Sequence, residues 1–316
     1  MRALVYNGQL ALHRNLPVPR DERAGTLVRI LKAGICNTDL ELVKGYLDFS
    51  GILGHEFVGI VEEGPETLLG KRVAGEINVA CGECDMCLKG IPSQCRSRYT
   101  VGIFRYPGAF ADYLPLPERN LHIVPDTVSD EAAVFTEPLA AALQVTEAVH
   151  ISPRDRVVVL GAGKLGMLVA QVLKLTGADV IVPARREKQA KLLEQWRNRA
   201  VDGRELPLER AQVVVDCTGQ AEGFAEALRL VQPRGTIVLK STYVGLPQAD
   251  LTRVAVKEIR IVGSRCGPFE AALRLMERGL VDVESLIEAR YSLDEGIRAI
   301  EHAAEKGALK VLLEVS

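Results

Sequence analysis

The sequence predicts a chain that combines a β-rich part with an α/β part built on a doubly wound parallel sheet. Three observations predict this. Short β-type runs punctuated by glycine and proline fill roughly the first 128 residues. From Ser129 onward, apolar strands alternate with helical segments. The length of 316 residues suits two domains better than one.

The first part is predicted to be β-rich because its apolar runs are short and lie between turn-forming residues. The clearest runs are LVRILKAG, FVGIVEEG, KRVAGEI and FADYLPLP. Helical periodicity is scarce between these runs, so we expect one compact β unit.

The second part opens with the alanine-rich segment DEAAVFTEPLAAALQVTEAV, whose spacing is helical and whose first turn is acidic. The buried strand RVVVLGAG then precedes a helix predicted over 165–176, and the strand ADVIVPA precedes a second helix, REKQAKLLEQWRNRA. Further strands are predicted at AQVVVDCTG, GTIVLKST and IRIVGS, and two helices with short strands in the tail. Such alternation predicts a parallel sheet covered by helices on both faces.

Composition and charge exclude several classes of protein. Hydrophobic residues make up 47% and charged residues 25%, which is typical of a globular protein. The net charge of -2 attracts neither nucleic acid nor an anionic membrane, so we expect no such partner. The sequence has no apolar run of about 18 residues that would span a bilayer, and its N-terminus lacks the apolar core of a signal peptide. We therefore expect a cytoplasmic protein.

The motif G-A-G-K-L-G at 161–166 lies between an apolar strand and a helix, which is the context of a dinucleotide-binding Rossmann turn. Gly161 permits the tight turn, Gly163 lets backbone amides approach a pyrophosphate, and Gly166 lets helix and strand pack closely. Lys164 and Leu165 open the helix whose N-terminus faces the phosphate charge. The alternative is a glycine-rich turn that binds no ligand.

The next strand indicates which dinucleotide is preferred. An NAD-binding strand usually ends in an acidic residue that holds the ribose 2′-hydroxyl. Here Ala184 occupies that place and Arg185 and Arg186 follow, and guanidinium groups bind a 2′-phosphate with paired hydrogen bonds. NADP is therefore favoured over NAD. The alternative is that both arginines are merely solvent-exposed side chains at the start of a helix.

Four of the seven cysteines form one local cluster, in which thiolates are able to close a tetrahedral shell around zinc; they are Cys81, Cys84, Cys87 and Cys95. An iron–sulfur cluster is the main rival. Its ferredoxin-type spacing places only three residues before the last cysteine and proline after it, whereas seven residues intervene here and Arg96 follows. Zinc is favoured, and four thiolates leave no open position, so this site is expected to be structural.

A second set of possible metal ligands is dispersed along the chain: Cys36 in G-I-C-N-T-D, His55 and Glu56 in G-H-E, and Glu137 in T-E-P-L-A. Alone, each has a structural explanation, as a core cysteine, a surface pair or a helix-start acid. Together they supply one sulfur, one nitrogen and one or two oxygens, which suits a zinc with a position left for substrate. We therefore expect two zinc ions per subunit.

In this order, the motifs GICNTD, GHEFVG, the four-cysteine lobe, EPLAAAL, GAGKLG and VVVDCTG resemble the zinc-dependent medium-chain dehydrogenase/reductase family, which includes the alcohol dehydrogenases. The resemblance implies a GroES-like catalytic domain over 1–138, with the structural zinc lobe at 81–95, and an inserted Rossmann NAD(P)-binding domain over 139–264. Residues 265–316 complete the catalytic domain. It also implies an active site in the cleft between the domains and a homodimer or homotetramer.

The resemblance also implies roles for individual residues. Cys36, His55 and Glu137 are expected to bind the catalytic zinc, and Glu56 to approach or exchange onto it. Thr38 is expected to relay the proton of the alcohol, and Asp39 to orient the liganding imidazole. Lys310 is expected to bind the cofactor pyrophosphate.

The implied reaction is hydride transfer between an alcohol or polyol and NAD(P), which gives an aldehyde or ketone. Glu137, in the place of a cysteine, is more similar to the polyol dehydrogenases of the family. Two alternatives remain: a zinc-independent quinone or enone reductase of the same superfamily, and a cofactor-sensing protein that keeps the fold without turnover.

Overall fold

The computed structural model describes residues 1–21, 24–206, 208–242 and 248–316. The strands, in chain order, are β1 (Ala3–Tyr6), β2 (Leu10–His13), β3 (Leu27–Gly34), β4 (Gly51–Ile52), β5 (Glu56–Glu63), β6 (Arg72–Gly75), β7 (Asn78–Val79), β8 (Tyr99–Val101), β9 (Arg105–Tyr106), β10 (Tyr113–Pro115), β11 (Leu121–Ile123), β12 (Arg156–Leu160), β13 (Asp179–Pro183), β14 (Arg199–Val201), β15 (Ala211–Asp216), β16 (Val231–Leu239), β17 (Arg260–Gly263), β18 (Ile287–Ser292) and β19 (Lys310–Glu314).

The α-helices are α1 (Asn37–Val43), α2 (Asp85–Leu88), α3 (Asp130–Ala133), α4 (Thr136–Ala148), α5 (Lys164–Lys174), α6 (Glu187–Gln195), α7 (Glu222–Leu230), α8 (Leu251–Val256), α9 (Phe269–Glu277) and α10 (Gly296–Ala304). The chain divides into two compact units. Unit 1 comprises Met1–Glu137 and Phe269–Ser316, and unit 2 comprises Pro138–Pro268.

Unit 1 is built on a seven-stranded sheet in the order β11-β6-β5-β3-β19-β18, with β10 also paired to β3. Two smaller three-stranded sheets join it, in the orders β2-β1-β4 and β7-β8-β9. The last strand of the chain, β19, pairs antiparallel with β3, so that Leu312 lies opposite Gly34. The C-terminal segment therefore completes the sheet of the first 137 residues.

Unit 2 is a six-stranded parallel sheet in the order β14-β13-β12-β15-β16-β17. Its central strands are valine-rich and fully enclosed: Val157, Val158 and Val159 of β12 have no exposed surface. A strand whose side chains are apolar on both faces of the sheet must be buried on both faces. In a parallel sheet, helices pack on both faces and bury it. This order is that of a doubly wound nucleotide-binding sheet, so the predicted fold class is confirmed for this part.

Two helix boundaries differ from the expectations. The helix expected over 165–176 spans Lys164–Lys174. The helix expected over 186–200 ends at Gln195, because Arg197 adopts a left-handed φ of 59° and the chain enters the sheet as β14. Among the described residues, no helix has both the length and the apolar character needed to cross a bilayer.

Candidate active site and cofactor edge

A thiol, an imidazole and a carboxyl group converge where β3 ends and β5 begins. Cys36 follows β3 and precedes α1, while His55 and Glu56 stand at the start of β5. Antiparallel pairing places Gly34 of β3 opposite Glu56, which brings the two segments together. The ligand atoms of Cys36, His55 and Glu56 all lie within 4.8 Å of one another. One sulfur, one nitrogen and one oxygen at that spacing suit a zinc ion with an open position.

Asp39 organises this cluster from the first turn of α1, where it is fully buried. One of its carboxylate oxygens accepts a hydrogen bond from the backbone N–H of Cys36 at 2.8 Å, and the other accepts one from Gly54 at 3.3 Å. The second oxygen also lies 3.2 Å from Nδ1 of His55, although that nitrogen makes no aligned hydrogen bond. Because Nδ1 faces Asp39, Nε2 is the ring nitrogen available to a metal.

The surroundings of His55 favour a positive charge. Burial by itself lowers the pKa of this imidazole, but the negative charges of Asp39 and Cys36 outweigh it and hold the pKa of His55 well above its usual value. The negative electrostatic potential that favours protonation of this buried imidazole also favours binding of a metal cation. The donor set and the electrostatics both fit zinc.

Lys310 adds a buried positive charge to the same region. Its ammonium donates to Glu56, and both side chains are nearly inaccessible. Burial lowers the pKa of Lys310, but Glu56, Cys36 and Glu137 raise it above the usual value overall. Lys310, expected to hold a cofactor pyrophosphate, is instead enclosed in unit 1, because β19 pairs with β3 and carries it beneath Gly34. A Cβ on Gly34 would come within 2.6 Å of Glu56 Oε2.

The two candidate carboxylate ligands are therefore not equivalent in the structure. Glu56 belongs to the cluster with Cys36 and His55, whereas Glu137, at the start of α4, lies outside that cluster in the described part of the chain. Glu137 interacts with Lys310 instead. Thr38 is close as well, with its hydroxyl 3.8 Å from the Cys36 sulfur.

The four clustered cysteines form a second cage in unit 1. Cys84 caps the short helix α2, Cys87 lies within it, and Cys95 follows a 3-10 turn. Four of the six Sγ–Sγ separations lie between 3.5 and 3.9 Å, and all six are within 4.8 Å. Four thiolates bound tetrahedrally at the usual Zn–S distance would be separated by about 3.8 Å. Backbone N–H groups lower the pKa of Cys84 to about 6, which favours its thiolate, whereas burial raises the pKa of Cys87 to about 12.

The glycine turn of unit 2 has the shape of a phosphate cradle. Gly161 has a φ of 95°, and a Cβ there would lie 2.7 Å from the carbonyl oxygen of Cys217. A Cβ on Gly166 would lie 1.8 Å from the Gly161 carbonyl oxygen, so only glycine fits. Gly163 has open space around it and precedes the first turn of α5, which contains Lys164 and Leu165. The residues present therefore fit a pyrophosphate at this helix N-terminus.

One residue follows the carboxyl end of each strand in unit 2, and together these six define what we call the carboxyl-edge row. In sheet order the row is Asp202, Ala184, Gly161, Cys217, Lys240 and Ser264. Backbone hydrogen bonds keep the row in register: Cys217 N donates to Leu160 O at 2.9 Å and Lys240 N donates to Asp216 O at 3.0 Å. A doubly wound sheet binds its dinucleotide along this edge.

The carboxyl-edge row contains an acidic residue that sequence reasoning missed. Asp202 follows β14, which pairs with β13, and Ala184 N donates to Val201 O at 3.1 Å. Arg204 donates two side-chain hydrogen bonds, of 3.1 and 2.9 Å, to the Asp202 carboxylate. These bonds, with a smaller contribution from Arg185, lower the pKa of Asp202 to about 2. The signal in the sequence was DGRE directly after the short strand RAV, but the predicted helix covered most of that strand.

Comparison with known proteins agrees with this geometry. Residues 22–126 match the alcohol dehydrogenase GroES-like domain, and residues 165–278 match the zinc-binding dehydrogenase family. The chain is 30% identical to the sorbitol dehydrogenase of Halalkalibacterium halodurans, over 99% of both chains. The predicted GroES-like and Rossmann combination is confirmed.

Two crystal structures are similar over the whole chain. The short chain alcohol dehydrogenase RspB of Escherichia coli CFT073, in complex with NADH, is 28% identical with a TM-score of 0.89, covering 100% of this chain and 99% of that one. A putative zinc-binding dehydrogenase of Sinorhizobium meliloti, bound to NADP, is 29% identical with a TM-score of 0.89, covering 99% of each chain. Proteins of this fold therefore bind either nicotinamide dinucleotide.

Proposed function

The chain belongs to the zinc-dependent medium-chain dehydrogenase/reductase family, and from that premise we propose that it oxidises a polyol at the centre formed by Cys36, His55 and Glu56. It is a zinc-dependent oxidoreductase that transfers hydride between an alcohol and NAD(P). The single observation that carries the proposal is the convergence of these three side chains within 4.8 Å. The similarity to a sorbitol dehydrogenase supports the polyol class.

Zinc held at this centre supplies Lewis-acid chemistry, which makes the hydroxyl of an alcohol more acidic. In this proposal, Cys36 and His55 bind the zinc whichever glutamate completes the ligand set. Glu56 is the third ligand in the resting state. Asp39 fixes the imidazole and the Cys36 backbone, so it is a positioning residue. Thr38, 3.8 Å from the Cys36 sulfur, takes the hydroxyl proton from the substrate and passes it outward.

Lys310 offsets part of the negative charge of this centre. The Cys36 thiolate and the three carboxylates of Asp39, Glu56 and Glu137 would carry four negative charges, against three positive charges from a bound zinc ion and one ammonium. Buried charge is costly unless it is largely compensated. Because Lys310 interacts with both Glu56 and Glu137, it stabilises whichever carboxylate is not on the metal. Glu137 therefore serves as the alternative ligand.

Glutamine variants of the two carboxylates test this assignment. We expect Glu56→Gln to lower zinc content at the catalytic centre and Glu137→Gln to leave it near the wild-type value. The converse result would make Glu137 the resting ligand. Zinc is measured by elemental analysis in proteins that also carry Cys81→Ser, so that only the catalytic ion is counted.

The second proposed zinc is structural and lies among Cys81, Cys84, Cys87 and Cys95, which gives two ions per subunit. The four sulfur separations of 3.5 to 3.9 Å support it. The expected location in the cytoplasm and the expected homodimer or homotetramer belong to the same proposal and rest on the family resemblance.

The cofactor is proposed to be NADP in preference to NAD. Three arginines follow the ends of the two strands at the proposed adenosine end of the carboxyl-edge row: Arg185 and Arg186 come after β13, and Arg204 comes after β14. The Asp202 carboxylate carries the opposite charge, but it already accepts two side-chain hydrogen bonds from Arg204. The net charge of these four groups is +2, which attracts a 2′-phosphate.

An oxidation screen with both cofactors tests the proposed function. Simple alcohols and polyols are each offered with NAD and with NADP, and formation of the reduced cofactor is followed by absorbance. We expect turnover with polyols that is lost when zinc is chelated and is mostly abolished in Cys36→Ser. Activity that survives chelation would favour a zinc-independent reductase, and cofactor binding without any turnover would favour a cofactor-sensing protein.

A further inference from the structure

A buried carboxylate, that of Asp216, lies directly beside the glycine turn of unit 2. Asp216 is the last residue of β15, is 1% exposed, and pairs with Leu160 of β12 on one side and Leu239 of β16 on the other. Cys217, which follows it, belongs to the carboxyl-edge row, and its N–H donates to Leu160 O at 2.9 Å. The carboxylate is therefore at the centre of the edge along which a doubly wound sheet binds its dinucleotide.

Oδ1 of Asp216 links two loops of this edge. It accepts hydrogen bonds from Thr218 N at 2.9 Å, from Thr218 Oγ1 at 2.7 Å and from Ser241 Oγ at 3.0 Å. Thr218 lies in the loop after β15, and Ser241 lies in the loop after β16. The Ser241 hydroxyl in turn accepts a hydrogen bond from Gly219 N at 2.9 Å. One carboxylate oxygen and one hydroxyl therefore hold the backbone of residues 218 and 219.

The loop that Asp216 holds packs against the phosphate cradle. A Cβ built on Gly161 would lie 2.7 Å from the carbonyl oxygen of Cys217 and 3.0 Å from the Cα of Thr218. The glycine turn and this loop are therefore in direct backbone contact. Because contacts this close transmit a displacement rather than absorb it, the position of the cradle depends on the position of Thr218.

The second oxygen of Asp216 makes this arrangement costly. Oδ2 is enclosed and has no hydrogen-bond partner within the described ranges of the chain. A Cβ on Gly223, in the first turn of α7, would lie 2.6 and 2.9 Å from the two carboxylate oxygens, so the group faces the start of that helix. The helix N-terminus offsets part of the negative charge. A buried carboxylate with one unpaired oxygen is nevertheless a poor stabiliser, which indicates that its role at this edge is not stability alone.

We infer that Asp216 and Ser241 are positioning residues for the phosphates of the dinucleotide. Through Thr218 and Gly219 they hold the loop against which the glycine turn packs, so that the N–H groups at the start of α5 are oriented toward the pyrophosphate before it binds. Neither residue needs to touch the cofactor itself. This inference rests on the proposed dinucleotide function and names the residues that act behind its phosphate subsite.

The test compares adenosine with ADP, which differ only in the pyrophosphate. NMR titration gives both dissociation constants, and the ratio Kd(adenosine)/Kd(ADP) reports what the phosphates add to binding, so a general weakening of the site cancels. Thr218→Val and Ser241→Ala each remove one hydroxyl and no charge. We expect each to lower the ratio at least about fivefold, which corresponds to the loss of roughly one hydrogen bond to phosphate.

Two control variants accompany these. Thr218→Ser keeps the hydroxyl that donates to Asp216 and should stay within about twofold of the wild-type ratio. Thr176→Val makes the same substitution after the C-terminal end of α5, where the hydroxyl donates to Leu173 O at 2.6 Å. This position precedes β13 and so lies at the opposite edge of the sheet, and the ratio should not change. Thermal melting identifies which of the two test variants is folded and is to be used.

Each outcome decides the matter. A ratio unchanged in Thr218→Val and Ser241→Ala overturns the inference, even if both variants melt earlier, because the network would then serve only stability. A third variant, Asp216→Asn, separates position from charge, since loss of a negative charge near a phosphate strengthens its binding. If Asp216→Asn alone changes the ratio, and raises it, Asp216 acts through its charge and the inference also fails. Failure of the wild-type protein to bind adenosine or ADP would instead refute the cofactor function itself.

Discussion

Replacing Lys310 by methionine removes the buried ammonium that donates to Glu56. Both side chains are about 1% exposed, so water does not take over the role of the lysine. Removing one partner of a buried ion pair costs about 3–5 kcal/mol, because the other charge remains enclosed without compensation. For a unit of this size, that loss corresponds to a fall in Tm of about 6–20 °C.

The assay is thermal and denaturant unfolding of metal-stripped protein, so that zinc contributes nothing to stability. The matched control is Lys44→Met, which breaks an ion pair with Glu41 at 2.9 Å in which the lysine is 64% exposed. Such surface pairs contribute at most about 1 kcal/mol. If Lys310→Met is as stable as Lys44→Met, the reasoning about the buried pair is refuted.

A double variant separates the pair from simple loss of packing. In Glu56→Gln/Lys310→Met, no uncompensated charge remains between these two positions. We expect the double variant to be less destabilised than the sum of the two single variants by at least about 1.5 kcal/mol. Additive losses would mean that the two side chains do not interact, in spite of their contact.

Four further outcomes are expected. Cys81→Ser should reduce zinc from two ions to one per subunit by elemental analysis, whereas an unchanged stoichiometry would exclude the structural site. Cys36→Ser should abolish most turnover while calorimetry still detects cofactor binding, and near wild-type kcat would remove this residue from the ligand set. Asp39→Asn should lower zinc affinity by about 10–100-fold, the usual effect of losing a carboxylate behind a metal-bound imidazole; unchanged affinity would contradict its positioning role. In the double variant Ala184→Asp/Arg185→Ala, the ratio of kcat/KM for NADP over NAD should fall at least about tenfold, and a wild type that prefers NAD would refute the role of the arginine.

The sequence predicted best what depends on neighbouring residues. The turn at Gly161 is an example, because its tight conformation, the approach of Cys217 and the packing of Gly166 all arise within one strand–turn–helix unit. The four-cysteine lobe is another, since its four sulfurs come from a segment of fifteen residues, 81–95. Local spacing is sufficient information for such features.

The sequence was a poorer guide where pairing between strands overrides local preference. The residues QWRNRA continue a helical pattern, yet the helix ends at Gln195 and Arg199–Val201 pair in parallel with β13. Intrinsic helix propensity is a weak effect beside the gain from completing a buried sheet. The wrong helix prediction also hid a site residue, because Asp202 belongs to the carboxyl-edge row only when β14 is a strand.

The choice between the carboxylates shows why the rest of the site was not readable from the sequence. Both Glu56 and Glu137 are plausible oxygen ligands, and nothing local distinguishes them. The difference lies in Lys310, which is 254 positions away from Glu56 along the chain. Only the antiparallel pairing of β19 with β3 brings that lysine beneath Gly34 and against Glu56. Because Glu137 also raises the pKa of Lys310, the same ammonium acts on both carboxylates, and the proposed exchange of zinc ligands would depend on which of them the lysine holds.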